Sequence, residues 1–449
     1  MHRRTLLLAG GLAPLARPAL AQPSEPSAEP TPILFIHGNG DHSALWLTTL
    51  WRFESNGYPR DRLATLDLEN PLARDDDDIP QALRSSAEDF ARATARAVTA
   101  LRRRTGAARV ALVGNSRGGF PIRQHIATAE GAAEVSHAIL CGTPNHGVWD
   151  TDWRTGSEFN GRSAVLQRLN IGLTSDVPLG TACLTLRSDS QDLYAQPEGR
   201  FIGRPSTPTG VDATSPELRG ATNMVLPGLD HRETAYSPRA FREIFRFITG
   251  REPASLDIEP EARPRISGRI TATPGGVPTN RPLPGAQVEI FRVDATGARI
   301  GPALYQRIVR GDGAWGPVPV SPEWPLELVV SAAEHPTTHY YRQPFLRSST
   351  VVQLRPARPP SAEDQLVPAL VLFTRPRGYF GIPRDVVLLD GTEPDYTQVP
   401  RGVPASAVIT ARLSAERIGT PITALFNHQR MAGRAWPGAE GRIAVLELN

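Results

Sequence analysis

The sequence predicts an α/β domain with a mainly parallel sheet over residues 32–252, followed by all-β structure to the C-terminus. Three observations carry that prediction. From 32 to 250, short apolar runs alternate with stretches of helical periodicity, the pattern of a parallel sheet covered by helices. After about residue 258 the texture changes to period-two alternation between Gly and Pro turns, which fits antiparallel β structure. Between them, at 114–118, stands Gly-Asn-Ser-Arg-Gly, placed directly after the apolar run Arg109–Val113 and before a helix-like stretch from Gly119 to Ala129.

The elements follow in order. Residues 1–21 read as an export signal: a charged start through Arg3 and Arg4, an apolar stretch from Thr5 to Leu12, and an Ala19-Leu-Ala21 cleavage site. The Arg3-Arg4 pair resembles a twin-arginine signal, with an ordinary secretory signal as the alternative, so the expected destination is periplasmic or extracellular. Residues 22–31, rich in Pro and Ser, read as a linker. Pro32–Ile36 and Leu63–Asp67 are predicted as strands, and Ala82–Arg104 as a helix with apolar residues at Leu83, Ala87, Phe90, Ala91, Ala95, Val98 and Leu101. Strands are expected at Arg109–Val113, Ser136–Cys141, Leu184–Arg187 and Thr222–Leu226. The last helix of this domain is bounded by Ser237 as N-cap, Pro238 at the first turn and Gly250 at the end. Residues 260–358 are expected to form a β-sandwich domain, and 366–449 a second β-rich domain or its continuation.

Composition narrows the function. At 449 residues the chain is long enough for two or three domains. The formal net charge of +3 is nearly balanced, every basic residue is arginine, and no basic patch is interleaved with aromatics, so no nucleic-acid partner is expected. Cys141 and Cys183 are the only cysteines, which excludes a zinc cluster or a disulfide framework. They read as two buried thiols, or as one disulfide in an oxidising compartment. Asp75–Asp78 read as a solvated loop, because four contiguous carboxylates cannot all converge on one ion. No metal site is assigned.

A serine on a tight strand-to-helix turn has its hydroxyl exposed at the end of a sheet, and the flanking glycines let strand and helix approach without Cβ clashes. Gly114–Gly118 in this setting resembles the nucleophile elbow of the α/β-hydrolases, with Ser116 as nucleophile. Such a hydroxyl needs a base to take its proton. The family order of Ser, then Asp or Glu, then His implies His231 as the base, in the polar loop Gly228–Thr234 before the last helix. The segment from Leu184 to Pro197 resembles the acid loop of secreted lipases, with Ala195 and Pro197 in register for Asp192 and one extra residue after Ser188. Asp192 is therefore the expected acid and Asp189 the alternative. His37-Gly-Asn-Gly40 resembles the His-Gly oxyanion motif of lipases and esterases, which implies backbone donors at Asn39 and at Arg117 after the nucleophile. Cys141–Val148 resembles the stretch that leads into a lid in bacterial lipases, and residues 149–180 then read as a lid or as a small packed cap.

Over residues 32–250 the chain thus resembles the secreted bacterial lipase and esterase branch of the α/β-hydrolases. Further on, Leu283–Ile290 and Gly311–Gly316 resemble transthyretin-like or prealbumin-like sandwiches of secreted enzymes. The resemblance implies a serine carboxylic ester hydrolase working through an acyl-enzyme, without a cofactor, on a lipid or small ester. An extracellular polyester depolymerase of the polyhydroxyalkanoate type is the first alternative, with the β segments adsorbing to a surface or polymer. A non-catalytic binding protein on a hydrolase fold is the second. If the core ending near 252 is autonomous, deletion of 260–449 is expected to spare hydrolysis of small soluble esters, and an insoluble fragment contradicts the boundary.

Overall fold

The computed structural model describes residues 29–171, 175–178 and 180–448. The export signal at 1–21 and most of the linker lie outside these residues. The first domain is a six-stranded, wholly parallel sheet made of β1 (Ile33–Ile36), β2 (Leu63–Leu66), β3 (Val110–Asn115), β4 (Val135–Cys141), β5 (Ala182–Arg187) and β6 (Thr222–Val225), in the order β2-β1-β3-β4-β5-β6. Buried on both faces, β1 and β3 are continuous apolar runs, as expected of central parallel strands.

Helices cover both faces. They are α1 (Leu47–Ser55), α2 (Ala87–Thr105), α3 (Gly119–Ile126), α4 (Ala129–Glu134), α5 (Ala164–Leu169), α6 (Glu233–Tyr236) and α7 (Pro238–Thr249). Leu34, Ile36 and Leu112 pack with Phe90, Val98 and Leu101 of α2 and Ile122 of α3. On the other face Ile33, Phe35 and Val113 pack with Phe53 of α1 and Phe241, Ile244 and Ile248 of α7. The capping of α7 is as the sequence predicts: the Ser237 hydroxyl accepts the Ala240 N–H, and Gly250 closes the helix in the left-handed conformation.

Two helices differ from expectation. Helix α2 begins at Ala87 rather than Ala82, because Ser86 and Asp89 form a reciprocal capping box and Ser85 is tied by backbone hydrogen bonds to Leu72 and Arg74. Helix α3 stops at Ile126, and Thr128 then caps the separate α4 by accepting the Gly131 N–H. The disulfide alternative is also excluded. Cys183 lies beside Ala138 while Cys141 lies beside Leu186, so the two thiols sit three positions apart on neighbouring strands and on opposite faces of the sheet. Both are free and buried.

The second half is all β. Its strands are β7 (Arg265–Ile270), β8 (Gln287–Arg292), β9 (Tyr305–Ile308), β10 (Ala314–Pro319), β11 (Leu326–Ser331), β12 (Thr337–Arg342) and β13 (Ser349–Leu354). They are followed by β14 (Ala369–Thr374), β15 (Val387–Leu389), β16 (Val408–Leu413), β17 (Pro421–Phe426), β18 (Gln429–Arg434) and β19 (Arg442–Glu447). A three-stranded sheet β10-β7-β13 shares a core with part of a seven-stranded sheet β16-β14-β19-β12-β11-β8-β9. The last strand, β19, lies between β14 and β12 and runs parallel to both. Strands β14, β16 and β19 therefore continue the sheet begun by the preceding β segment. A third small sheet, β15-β17-β18, closes a separate core around Phe373, Phe380 and Phe426.

The halves are joined by buried contacts. Leu47 and Trp51 of α1 belong to the core of the β-rich half, and Trp51 donates its indole N–H to the Ser348 carbonyl at 2.9 Å. Asn280 donates its amide to the carbonyls of Asp41 (3.0 Å) and Leu68 (2.9 Å) across the junction, and its oxygen accepts from Gln353 and Arg355. Removing that amide strands several buried polar groups, each worth about 1–3 kcal/mol. Asn280→Ala is therefore expected to lower unfolding stability by about 2–4 kcal/mol, read from the urea midpoint; an unchanged midpoint contradicts a tightly docked junction.

Candidate active site

The carboxyl ends of β1, β3, β4, β5 and β6 all point to one edge of the sheet, where parallel sheets place their ligands. Ser116 follows β3 with φ of 54°, in the left-handed region that a non-glycine residue enters at a cost of about 1–3 kcal/mol. The flanking glycines make this turn feasible. A Cβ on Gly114 would stand 2.5 Å from the Gly118 carbonyl oxygen, and one on Gly118 would stand 2.5 Å from the His37 carbonyl oxygen. Strand, turn and the loop after β1 are thus in backbone contact.

His231 stands in the loop after β6, 2% exposed, with Nδ1 2.8 Å from Asp192 Oδ2. The second carboxylate oxygen of Asp192 accepts the Tyr194 N–H at 2.8 Å, which orients the acid. Asp189 makes no contact with the imidazole. Its oxygens accept from the Ser188 hydroxyl and from the N–H groups of Gln191 and Gly228, so it braces the base of the histidine loop. His231 Nε2 is buried without a hydrogen-bond partner among the described residues, and both Ser116 and His231 line one cavity. The Tyr194 ring lies edge-on to the imidazole, with centroids 4.5 Å apart. Asn115 donates its amide to the carbonyls of Cys141 and His231, tying the elbow to the histidine loop.

The loop after β1 is equally constrained. His37 is fully buried; its Nδ1–H donates to the Gly38 carbonyl (2.8 Å) and its Nε2 accepts the Leu68 N–H (3.1 Å). Burial lowers its pKa, which keeps the ring neutral in this role. Asn39 accepts the Ala73 N–H on its side-chain oxygen (2.8 Å) and lines the same cavity as Ser116.

Arg117 has an additional use that its place in the pentapeptide does not suggest. Its guanidinium is fully buried, 2.5 Å from Glu158, and also donates to the Pro71 carbonyl and to the hydroxyl and carbonyl of Ser85. Burial pushes the Glu158 carboxyl up to about 7, against the pull of Arg117. This pair ties the chain around Glu158 to the turn that carries Ser116. Trp149 and Phe159 from that segment line the cavity, whereas Ile171 is exposed, and Leu173 lies outside the described residues.

The cavity has a volume of about 230 Å³. It is not enclosed by the first domain alone, because Tyr379 of the β-rich half forms part of its wall. Chemically, the arrangement offers a serine hydroxyl at a strained turn, an imidazole with one nitrogen fixed by a carboxylate, and backbone N–H groups of two converging loops. Asp75–Asp78 do not converge on an ion: Asp75 binds Gln81, while Asp77 accepts the Ala87 N–H at the start of α2. Among the described residues no cluster of His, Cys, Asp or Glu is arranged to hold a metal.

Residues 263–359 match the family model described as the Lipase C-terminal domain. Among curated proteins none matches the chain. Similar solved structures include the product of gene lin2722 from Listeria innocua, 13% identical, covering 51% of this chain and 97% of that one at a TM-score of 0.34. Aspergillus fumigatus lipase B is 14% identical over 51% of this chain and 55% of its own, at a TM-score of 0.35. Bacillus licheniformis lipase BlEst2 in mature form is 20% identical over 49% of this chain and 92% of its own, also at 0.35. By its own strand order and elbow, the chain carries an α/β-hydrolase core, joined to a β-rich half of which residues 263–359 are similar to lipase C-terminal domains.

Proposed function

We propose that the protein is an exported serine carboxylic ester hydrolase of the lipase and esterase type, with Ser116 as nucleophile, His231 as general base and acid, and Asp192 as the group that orients and stabilises the imidazolium. The observation that carries this reading is a strained Ser116 sharing one cavity with a histidine whose far nitrogen is fixed 2.8 Å from a buried carboxylate. In the first step the Ser116 oxygen attacks the ester carbonyl while His231 Nε2 takes its proton. The tetrahedral oxyanion is held by the backbone N–H groups of Asn39 and Arg117, and His231 returns the proton to the leaving alcohol. Water then repeats the sequence on the acyl-enzyme. Asp192 accepts the Nδ1–H and so fixes the tautomer that leaves Nε2 free to accept.

The cavity points to the substrate class. At about 230 Å³ it falls below the roughly 300–1,000 Å³ of pockets that enclose drug-sized ligands, which favours a short acyl chain. The export-signal pattern of residues 1–21 supports a periplasmic or extracellular location for this activity.

Ser116→Ala and His231→Ala are expected to abolish hydrolysis of p-nitrophenyl acetate while the melting temperature holds. Serine-independent turnover contradicts the assignment. Asp192→Asn, which leaves the wrong imidazole tautomer, is expected to lower kcat about 10³- to 10⁴-fold, and Asp189→Asn far less. The reverse order would transfer the acid to Asp189. Across p-nitrophenyl esters from acetate to palmitate, kcat/KM is expected to peak at short acyl chains; a peak at palmitate contradicts the size argument.

A further inference from the structure

We infer that Arg375, from the β-rich half, is a positioning residue for His231, so that residues beyond 260 form part of the catalytic apparatus. The inference rests on the reading of His231 as the base. It starts from Asp230, which directly precedes that histidine and is fully buried. One oxygen of Asp230 accepts the N–H groups of Arg232 and Glu233, both at 2.9 Å, and so turns the chain from His231 into α6. The other oxygen faces the β-rich half, where it accepts the Tyr379 N–H at 2.7 Å and the Arg375 guanidinium at 3.3 Å.

Arg375 is itself enclosed. It is 2% exposed and lies over the Phe426 ring at 4.1 Å, and a Cβ on Gly378 would come within 2.5 Å of its guanidinium. Its backbone N–H is bonded to the Ala407 carbonyl at the end of β14. The guanidinium also donates to Glu233 (2.9 Å), to the Tyr236 hydroxyl (3.1 Å) and to the Tyr379 carbonyl. Arg384 adds bonds to Glu233 (2.7 Å) and to the Gly228 carbonyl (3.3 Å). Three residues between 375 and 384 therefore hold both ends of the histidine loop.

Electrostatics make the clamp necessary. Asp230 is fully buried and Glu233 beside it is half-buried; burial, and then the charge of Glu233, push the Asp230 carboxyl up to about 6. Two arginines facing them keep the pair compatible with burial. The rest of the junction does not depend on this cluster, since Trp51 with Ser348, Arg347 with Glu54 and Asn280 with Asp41 dock the halves elsewhere. Loss of Arg375 is therefore expected to loosen the histidine loop more than the junction.

The experiment uses the full-length chain with Arg375→Met, Arg375→Lys, Arg384→Gln and, as a docking control, Arg347→Met. Two readouts are taken: kcat and KM on p-nitrophenyl acetate, and the low-field proton NMR signal of the His231 Nδ1–H bonded to Asp192. A displacement of about 1 Å at a catalytic group can cost on the order of 100-fold. Arg375→Met is expected to lower kcat about 10- to 100-fold with KM within about twofold, and to lose the low-field signal. Arg375→Lys should fall between it and the parent, and Arg347→Met should leave both readouts unchanged. A folded Arg375→Met protein with parental kcat and an intact signal overturns the inference, as does an equal loss in Arg347→Met. If Arg375→Met does not fold, Arg375→Lys and Arg384→Gln decide by the same criteria. A parent protein that gives the signal but hydrolyses no ester sinks the esterase reading instead, while the signal still tests Arg375.

Discussion

Ser116 leaves the sheet through a backbone conformation that only close packing can enforce, and the rest of the site is arranged around it. Around its φ of 54°, strand, turn and the loop after β1 approach so closely that a Cβ on Gly114 or Gly118 would overlap backbone oxygens. That strain is sustained by what surrounds it. Asn115 ties the turn to β4 and to the histidine loop, His37 bonds the loop after β1 to Leu68, and the buried Arg117–Glu158 pair ties the turn to the chain around Glu158. Each of these contacts would be lost if the turn relaxed.

The β-rich half changes the meaning of the first domain. A continuous parallel sheet with helices on both faces has the parts of an independent enzyme, yet Tyr379 contributes to its cavity wall and Arg375 reaches the residue beside its histidine. Helix α1 belongs to both cores at once, with Phe53 facing the sheet and Leu47 and Trp51 facing the β structure. The two halves form one docked structure with two cores, and the cavity beside Ser116 takes part of its wall from the second. The proposed chemistry lies in the first, and residues of the second bond to both sides of the His231 loop.

Much of this was legible in the sequence, for physical reasons that can be named. Central strands such as Ile33–Ile36 and the stretch 110–113 of β3 are buried on both sides and so read as unbroken apolar runs, and α7 carries its own start and stop residues in Ser237, Pro238 and Gly250. The expected site residues Ser116, Asp192, His231, Asn39 and Arg117 all lie around the same sheet edge, because each sits just past a strand end. What the sequence concealed depends on distant partners. Helix α1 gives no single apolar stripe, since it is buried on two sides. The start of α2 is set by Ser85 bonding to a segment a dozen residues away. The free state of Cys141 and Cys183 depends on strand register. Glu158, Tyr194 and Arg375 have no local pattern at all; a buried charge pair leaves no trace in the periodicity of either partner.

The central claim is that Ser116 is activated by His231 held on Asp192. Its most direct test is reaction of the full-length protein with a phosphonate ester that captures activated serines, followed by mass spectrometry of the digest. The account predicts a single stoichiometric adduct on Ser116, absent in His231→Ala. An adduct on another residue, or none on folded protein, would contradict it.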